Sequence, residues 1–297
     1  MHIGMVGLGR MGANMRDRLR AAGHDVVGYD TDISRSDVSS LADLIAALEA
    51  PRLLWVMVPA GDITRATIRE LAGLAASGDL VIDGGNSNYA DDAAHAELLA
   101  EAGIDYIDAG VSGGVWGGTN GYGLMVGGTA AAVERAMPVF DALRPEGPRD
   151  EGFVHAGPVG AGHFAKMVHN GIEYGLMQAY AEGFEILGSR PDLIPAAAPV
   201  LQAWQRGTVV RSWLLELLVR ALAQRPDFAD LDDYVADSGE GRWTLHEAVT
   251  NGVPAPVLSA ALFARFGSQQ ESSPALKAVA ALREQFGGHA VHRTADG

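Results

Sequence analysis

Six residues near the start of the chain constrain its fold more than any other stretch. The apolar run His2 to Val6, with β-branched members, passes at once into Gly7-Leu8-Gly9-Arg10-Met11-Gly12, where a helical pattern begins. In a strand–GxGxxG–helix unit the first glycine makes a tight turn and the second leaves room for a pyrophosphate. The third lets helix and strand pack closely. The phosphates would sit at the helix N-terminus, where free N–H groups and the dipole favour anions. A second strand pattern, Asp25 to Tyr29, ends in Asp30, where an acidic residue meets a ribose. A glycine-rich turn without a ligand is the plainer reading, and the position of Asp30 speaks against it. A carboxylate there accepts from both ribose hydroxyls of NAD and repels the 2′-phosphate of NADP, with Arg35 near enough in sequence to offset part of that repulsion. The expectation is NAD, with NADP possible, held by Gly7, Gly9, Arg10, Met11, Gly12 and Asp30.

The same rhythm continues. Leu53 to Val58 reads as a strand running into Pro59, and Leu80 to Asp83 as another before Gly84-Gly85-Asn86-Ser87-Asn88. Asp91 to Ala102 looks helical, and Tyr106 to Asp108 ends the next strand. Short apolar strands alternating with helices imply a parallel sheet covered on both faces, with functional loops at the strand C-termini. Val58, Pro59 and Asn86 lie at such ends and join the expected cofactor set. Asp108 to Gly121 is glycine-rich, and glycine forfeits backbone entropy unless chain and ligand must approach closely. Ser112, Gly113 and Gly114 there can cradle a carboxylate or hydroxyls. Gly123 to Gly128 resumes as a strand, Ala130 to Leu143 as a helix, and Phe153 to His155 as a last strand.

The expected architecture is an α/β Rossmann-like domain over residues 1–158, with a doubly wound, mostly parallel sheet, followed by an all-α domain over 159–297. Helical patterns in the second part cover Pro195 to Gln224, Leu245 to Asn251, Val257 to Phe266 and Ala275 to Phe286. Trp204, Trp213 and Trp243 are read as core, and the acidic patch Asp227 to Asp237 as solvated surface.

Between the two parts lies Gly157 to Leu187, read as a helix from near Gly160. Lys166, His169, Asn170, Glu173 and Tyr174 then follow at i, i+3, i+4, i+7 and i+8, which is one face. A base, an imidazole, an amide, an acid and a phenol in one stripe suit a polar substrate; a solvated helix face is the bland alternative. Composition favours the first. The chain has only two lysines, Lys166 and Lys277, among 22 Lys+Arg. Arginine does not give up its proton in a protein, whereas a desolvated lysine can act as a base.

A formal net charge of −15 argues against nucleic acid or an anionic membrane as partner. The absence of cysteine excludes disulfides, thiolate catalysis and Cys-ligated zinc. No signal-peptide pattern and no apolar run of about 18 residues is apparent, so a soluble cytoplasmic protein is expected. No metal is expected either.

With these motifs in view, the sequence resembles the β-hydroxyacid dehydrogenases, through GLGRMG, DAGVSGG and GPVGAGHFAKMVHNG. Within that superfamily it is most similar to the decarboxylating 6-phosphogluconate dehydrogenase family, short type. The residues that carry this likeness are Asp83 to Asn88 (DGGNSN), Lys166 to Gly175 (KMVHNGIEYG) and Arg283 to His289 (REQFGGH). Two departures stand out. Only one copy of the family's helical domain fits here. The loop Ser238-Gly239-Glu240-Gly241-Arg242-Trp243-Thr244 also lacks the lysine that long members place near the substrate phosphate; Arg242 is its possible substitute.

The resemblance implies oxidative decarboxylation of 6-phosphogluconate to ribulose 5-phosphate and CO2. Lys166 is the implied base at the C3 hydroxyl, then the donor to the enolate oxygen, and Glu173 the acid that protonates C1. Asn86, Ser112, Gly113, Gly114, His169 and Asn170 would position the sugar acid. Tyr174, Arg265, Arg283 and His289 would meet its phosphate. The resemblance also implies a homo-oligomer, dimer or tetramer, with the C-terminal tail reaching a neighbouring subunit's site. The rivals are a dehydrogenase of a small β-hydroxyacid such as 3-hydroxyisobutyrate, which needs neither Glu173 nor Arg265, and a silent NAD-binding sensor, which has no use for Lys166.

Overall fold

The computed structural model describes residues 1–292. Seven strands form one sheet in the order β2-β1-β3-β4-β5-β6-β7. They are β1 (His2–Val6), β2 (Asp25–Tyr29), β3 (Leu53–Val56), β4 (Leu80–Asp83), β5 (Asp105–Ser112), β6 (Gly123–Gly128) and β7 (Phe153–Gly157). The first five are parallel; β6 runs antiparallel to β5, and β7 parallel to β6. This is the doubly wound, mostly parallel sheet read from the sequence, with β3 ending two residues early at Val56.

Alternate residues of each strand feed two cores, as the two-residue period requires. Leu53 and Trp55 join Met15 and Leu19 of α1 (Arg10–Ala21) and Val139 and Phe140 of α6 (Ala130–Leu143). Leu54 and Val56 join Leu44 of α2 (Leu41–Ala46), Ile68 of α3 (Asp62–Leu74) and Leu99 of α4 (Tyr89–Glu101). Helix α2 was not anticipated, although Ser40 caps it by accepting from the Asp43 N–H. Helix α4 starts two residues before its expected position because Asn88 caps it through Ala90.

The glycine-rich segment after β5 holds a short helix, α5 (Gly117–Asn120), and it is tied down rather than loose. Arg18 of α1 donates to the carbonyls of Ala142 (2.9 Å) and Arg144 (3.0 Å), and more distantly to those of Gly118 and Thr119 (3.5 Å each).

Helix α7 (Ala161–Gly188) runs for 28 residues. Its first turn presses on the sheet at glycines: a Cβ on Gly162 would lie 2.5 Å from the Met125 carbonyl oxygen and 2.6 Å from that of Asp108. One on Gly110 would lie 2.4 Å from Lys166 Cβ. The Asp108 carboxylate caps this turn, accepting from the N–H groups of Gly160 (2.7 Å) and His163 (2.8 Å).

The chain divides into two compact units, Met1–Asn170 and the residues from Gly171 onward. The second is helical: the rest of α7, then α8 (Ala197–Trp204), α9 (Trp213–Gln224), α10 (Glu240–Thr250), α11 (Pro256–Ser268) and α12 (Pro274–Gly287). The single helix expected over Pro195 to Gln224 is two. Gly207 takes φ +75°, Thr208 Oγ1 donates to the Trp204 carbonyl, and Ser212 caps α9 through Leu215. Trp204 packs on Leu201 and Leu215 as expected of a core residue, but Trp213 opens α9 at 44% exposure, outside that core. Among the described residues no helix is long and apolar enough to cross a membrane.

Two glycines of α7 should respond oppositely to alanine. Alanine usually stabilises a helix interior over glycine by roughly 1 kcal/mol, and Gly183 has open space where its Cβ would go. Gly183→Ala should therefore raise the thermal midpoint. Gly162→Ala should lower it, since backbone overpacking costs about 1–3 kcal/mol. Calorimetry of the two variants checks the contrast, and a rise in both would contradict the packing described.

Candidate active site

The glycine fingerprint has the shape that its spacing predicts. Gly7 takes φ +92°, and a Cβ there would lie 2.4 Å from the Met57 carbonyl oxygen; one on Gly12 would lie 2.0 Å from that of Gly7. At Gly9 a Cβ would meet nothing, so the start of α1 is open. That helix has no side-chain cap and no acidic residue in its first turn. An uncapped helix N-terminus beside a bare glycine fits a pyrophosphate. Arg10 and Met11 lie on this turn, Arg10 exposed and Met11 half-buried.

Asp30 follows β2. Its carboxylate accepts from the Leu8 N–H (2.6 Å) and the Asp32 N–H (2.8 Å), which fixes it against the glycine loop. A cleft of about 510 Å³ opens here, with Gly9, Arg10, Arg16, Ser34 and Arg35 in its lining. Arg35 is paired with Asp32 (3.0 Å), which offsets part of its charge. Val58 and Pro59 follow β3, beside β1, where the winding of the sheet changes direction; open α/β sheets bind ligands at that crevice.

A second group gathers around Lys166, which is buried. Its Nζ lies 3.5 Å from His169 Nδ1, and His169 Nε2 lies 3.4 Å from Ser112 Oγ. Beside them the Asn170 amide donates to Asn86 Oδ1 (3.4 Å). Lys166, His169, Asn170, Ser112 and Asn86 are thus brought together from three elements. Gly113 and Gly114 follow Ser112 at φ +136° and +51°, conformations that glycine tolerates best.

Within the helical unit, Tyr174 is buried and Arg265 stacks its guanidinium 3.4 Å from the centre of the phenol ring, while donating to the Ala236 carbonyl (2.9 Å). The Tyr174 hydroxyl lies 3.4 Å from Ser238 Oγ, which donates to Glu240 (2.7 Å). Arg242 is engaged elsewhere: it pairs with Asp237 and lies 4.3 Å from the Phe266 ring centre. Glu173 is half-buried on α7; Arg283, on α12, and His289, just beyond it, are exposed.

One turn before Lys166 on α7, His163 belongs to a buried polar network that the sequence did not reveal. His163 Nδ1 sits 2.9 Å from both carboxylate oxygens of Asp92, and the Tyr106 hydroxyl donates to the same carboxylate (2.8 Å). Burial pushes Asp92 up to about 6, against the pull of His163. Burial alone would lower His163, but its hydrogen bond to Asp92, with Asp83, Asp92 and Asp108 adding negative charge, outweighs this and raises it to about 9. The residues are 71 apart in sequence, and only their types, an acid on α4 and a histidine in GHF, hinted at a role. Two sets here have the composition of a cation site, Asp83–Asp92–His95 and Asp92–Asp108–His163, with donor atoms within 4.8 Å. Each carboxylate already accepts from protein donors, Asp83 from the Gly85 N–H and Ser87, so we assign both sets to the network.

Residues 2–145 match the NAD-binding domain of 6-phosphogluconate dehydrogenase, and 162–291 match that enzyme's C-terminal domain. An NAD(+)-dependent, decarboxylating 6-phosphogluconate dehydrogenase of Haloferax volcanii is 42% identical over the full length of both chains. The chain belongs to the 6-phosphogluconate dehydrogenase family. A Plasmodium falciparum 6-phosphogluconate dehydrogenase, solved with NADP+ and with 6-phosphogluconate, is 26% identical with a TM-score of 0.80, covering all of this chain and 67% of its own. A Mycobacterium tuberculosis 3-hydroxyisobutyrate dehydrogenase is 25% identical at 0.69, covering 88% and 90%. The chain is an oxidoreductase of the 6-phosphogluconate dehydrogenase family with that family's NAD-binding domain, and the wider β-hydroxyacid dehydrogenase likeness holds.

The raised His163 has a consequence for stability. The folded state keeps a proton that the unfolded imidazole loses near its ordinary value of 6.5. The stabilisation is complete below about pH 6.5 and lost as pH rises through about 9. The thermal midpoint should fall between pH 7 and 9.5 in the wild type and fall less in His163→Gln. Equal slopes would contradict a charged pair.

Proposed function

We propose that this chain oxidises and decarboxylates 6-phosphogluconate to ribulose 5-phosphate and CO2, with NAD as the preferred acceptor. The observation that carries the reading is the buried Lys166 amine beside His169, Ser112 and the Asn170–Asn86 pair. A small-hydroxyacid dehydrogenase would not need the Arg265–Tyr174 stack, which offers a fixed guanidinium to a phosphate.

Gly7, Gly9, Arg10, Met11, Gly12, Asp30, Val58, Pro59 and Asn86 would hold the dinucleotide, and the open Gly9 turn fits its pyrophosphate. When bound, the nicotinamide supplies the acceptor for the hydride from C3. Lys166, uncharged, takes the C3 hydroxyl proton. Once protonated, it donates to the developing enolate oxygen as CO2 leaves. Glu173 delivers the proton to C1. Ser112, Gly113, Gly114, His169, Asn170 and Asn86 orient the carboxylate and hydroxyls. Tyr174 and Arg265 take the phosphate; Arg242, held by Asp237 and Phe266, is a weaker substitute for the missing loop lysine. Asp30, fixed by Leu8, favours a ribose hydroxyl over a 2′-phosphate.

Purified protein should reduce NAD and release CO2 with 6-phosphogluconate, and turn over gluconate and 3-hydroxyisobutyrate far more slowly. NAD should exceed NADP in kcat/KM, and Lys166→Arg should lower turnover by about 10²–10⁴-fold. Equal turnover of 3-hydroxyisobutyrate would defeat the substrate assignment. Better use of NADP would defeat the argument from Asp30.

Assembly belongs to the same proposal. Helix α12 exposes Leu276, Val279, Leu282 and Phe286, a spacing that marks one apolar face. A second copy would cover it, as exposed apolar faces of this kind require. Arg283 and His289 would then serve the neighbouring subunit's phosphate. Mixing inactive Lys166→Ala with inactive Arg283→Ala under subunit exchange should restore activity. Exchange without restoration would place the tail in its own subunit.

A further inference from the structure

We propose that Asp32 is a second cofactor-specificity residue, which turns Ser34 and Arg35 away from a ribose 2′-phosphate. The idea rests on the reading of the cleft beside Asp30 as the dinucleotide site, and it concerns a residue with no assigned contact to the cofactor. The chain leaves β2 through a tight turn. The Asp30 N–H donates to Ser36 Oγ (3.0 Å), and Asp30 Oδ1 accepts from the Asp32 N–H (2.8 Å). Ile33–Arg35 then make one short helical turn, with Asp32 as its cap.

An arginine fork, a hydroxyl and backbone N–H groups are the usual means of holding a phosphate, and this turn has all three. Ser34 and Arg35 both line the cleft of about 510 Å³. Each is directed at Asp32 instead. Asp32 Oδ1 accepts from the Ser34 hydroxyl (2.6 Å) and the Ser34 N–H (3.1 Å), and its Oδ2 pairs with Arg35 Nε (3.0 Å). The Ser34 bonds, with Arg35 adding to them, hold the Asp32 carboxyl below its ordinary value, so it is charged at neutral pH. Arg16, also in the lining, donates to the Arg35 carbonyl (3.3 Å) and to Asp17 (3.1 Å).

A lone exposed ion pair holds an arginine weakly. Here the two Ser34 bonds fix the carboxylate, so Arg35 is the one side chain that the pair still has to order. A 2′-phosphate would have to displace that carboxylate from Arg35 and then lie near it, in addition to the repulsion from Asp30. Misplaced like charge rejects a ligand as surely as a lost contact does.

Calorimetry with 2′,5′-ADP and with 5′-ADP reads the cleft without turnover. Asp32→Asn keeps an oxygen for the Ser34 cap and removes the charge that engages Arg35. It should bind 2′,5′-ADP about 3–10-fold more tightly than wild type does. Its affinity for 5′-ADP should stay as it was, and the gain should shrink as salt rises. Adding Arg35→Ala should remove the gain. No gain in Asp32→Asn, an equal gain for 5′-ADP, or a gain that survives Arg35→Ala overturns the proposal. If Asp32→Asn does not fold, Asp32→Ser keeps a capping hydroxyl and is judged by the same outcomes. The two readings fail separately. Wild-type protein that binds neither nucleotide overturns the dinucleotide cleft and this proposal with it, whereas binding of 5′-ADP with no gain in Asp32→Asn overturns this proposal alone.

Discussion

The bond pair from Gly160 and His163 to the Asp108 carboxylate fixes where the long helix starts, and most of the site follows from it. Free N–H groups at a helix start need acceptors, and a buried carboxylate needs donors. Each satisfies the other here, with the dipole adding to the attraction. The arrangement is possible only because Gly110, Gly127 and Gly162 remove the side chains that would hold helix and strands apart. Once the first turn is seated, the 3.6-residue period brings Lys166 over Gly110, His169 to Ser112 and Asn170 to Asn86.

What the sequence made legible is what a period can carry. The fingerprint glycines, the strands β1 to β7 and the lysine–histidine–asparagine stripe all have fixed spacings, and spacing survives without coordinates. The buried network has none. Asp92, Asp108 and His163 sit on three elements, and each alone reads as an ordinary polar residue. Their pairing is a property of the sheet order and of the way α4 and α7 pack on it. The likeness to a known family named the candidate site residues, but it did not point to the buried Asp92–His163 pair.

Helix ends and breaks were the weaker part for a related reason. The apolar pattern of Pro195 to Gln224 is continuous, and only the left-handed Gly207 and the Ser212 cap divide it. Residue type alone assigns Trp213 to the core, yet the first position of a helix faces outward as readily as inward, and this one is exposed. In α10 the helix starts at Glu240 rather than Leu245, inside the lysine-free segment Ser238 to Thr244.

The clasp that Arg18 makes on four carbonyls is one of several. Arg20 binds the Val26 carbonyl, Arg52 those of Ile45 and Leu48, and Arg144 those of Pro145 and Gly147. A guanidinium has five N–H donors in a planar fork, where an ammonium has one point from which to donate. The excess of arginine is therefore partly architectural, with guanidinium groups serving as buckles for turns. The same excess leaves the side chains almost blank to amine-directed reagents, so acylating or crosslinking chemistry would find, besides the terminal amine, two lysines on the whole chain, one of them in the candidate site.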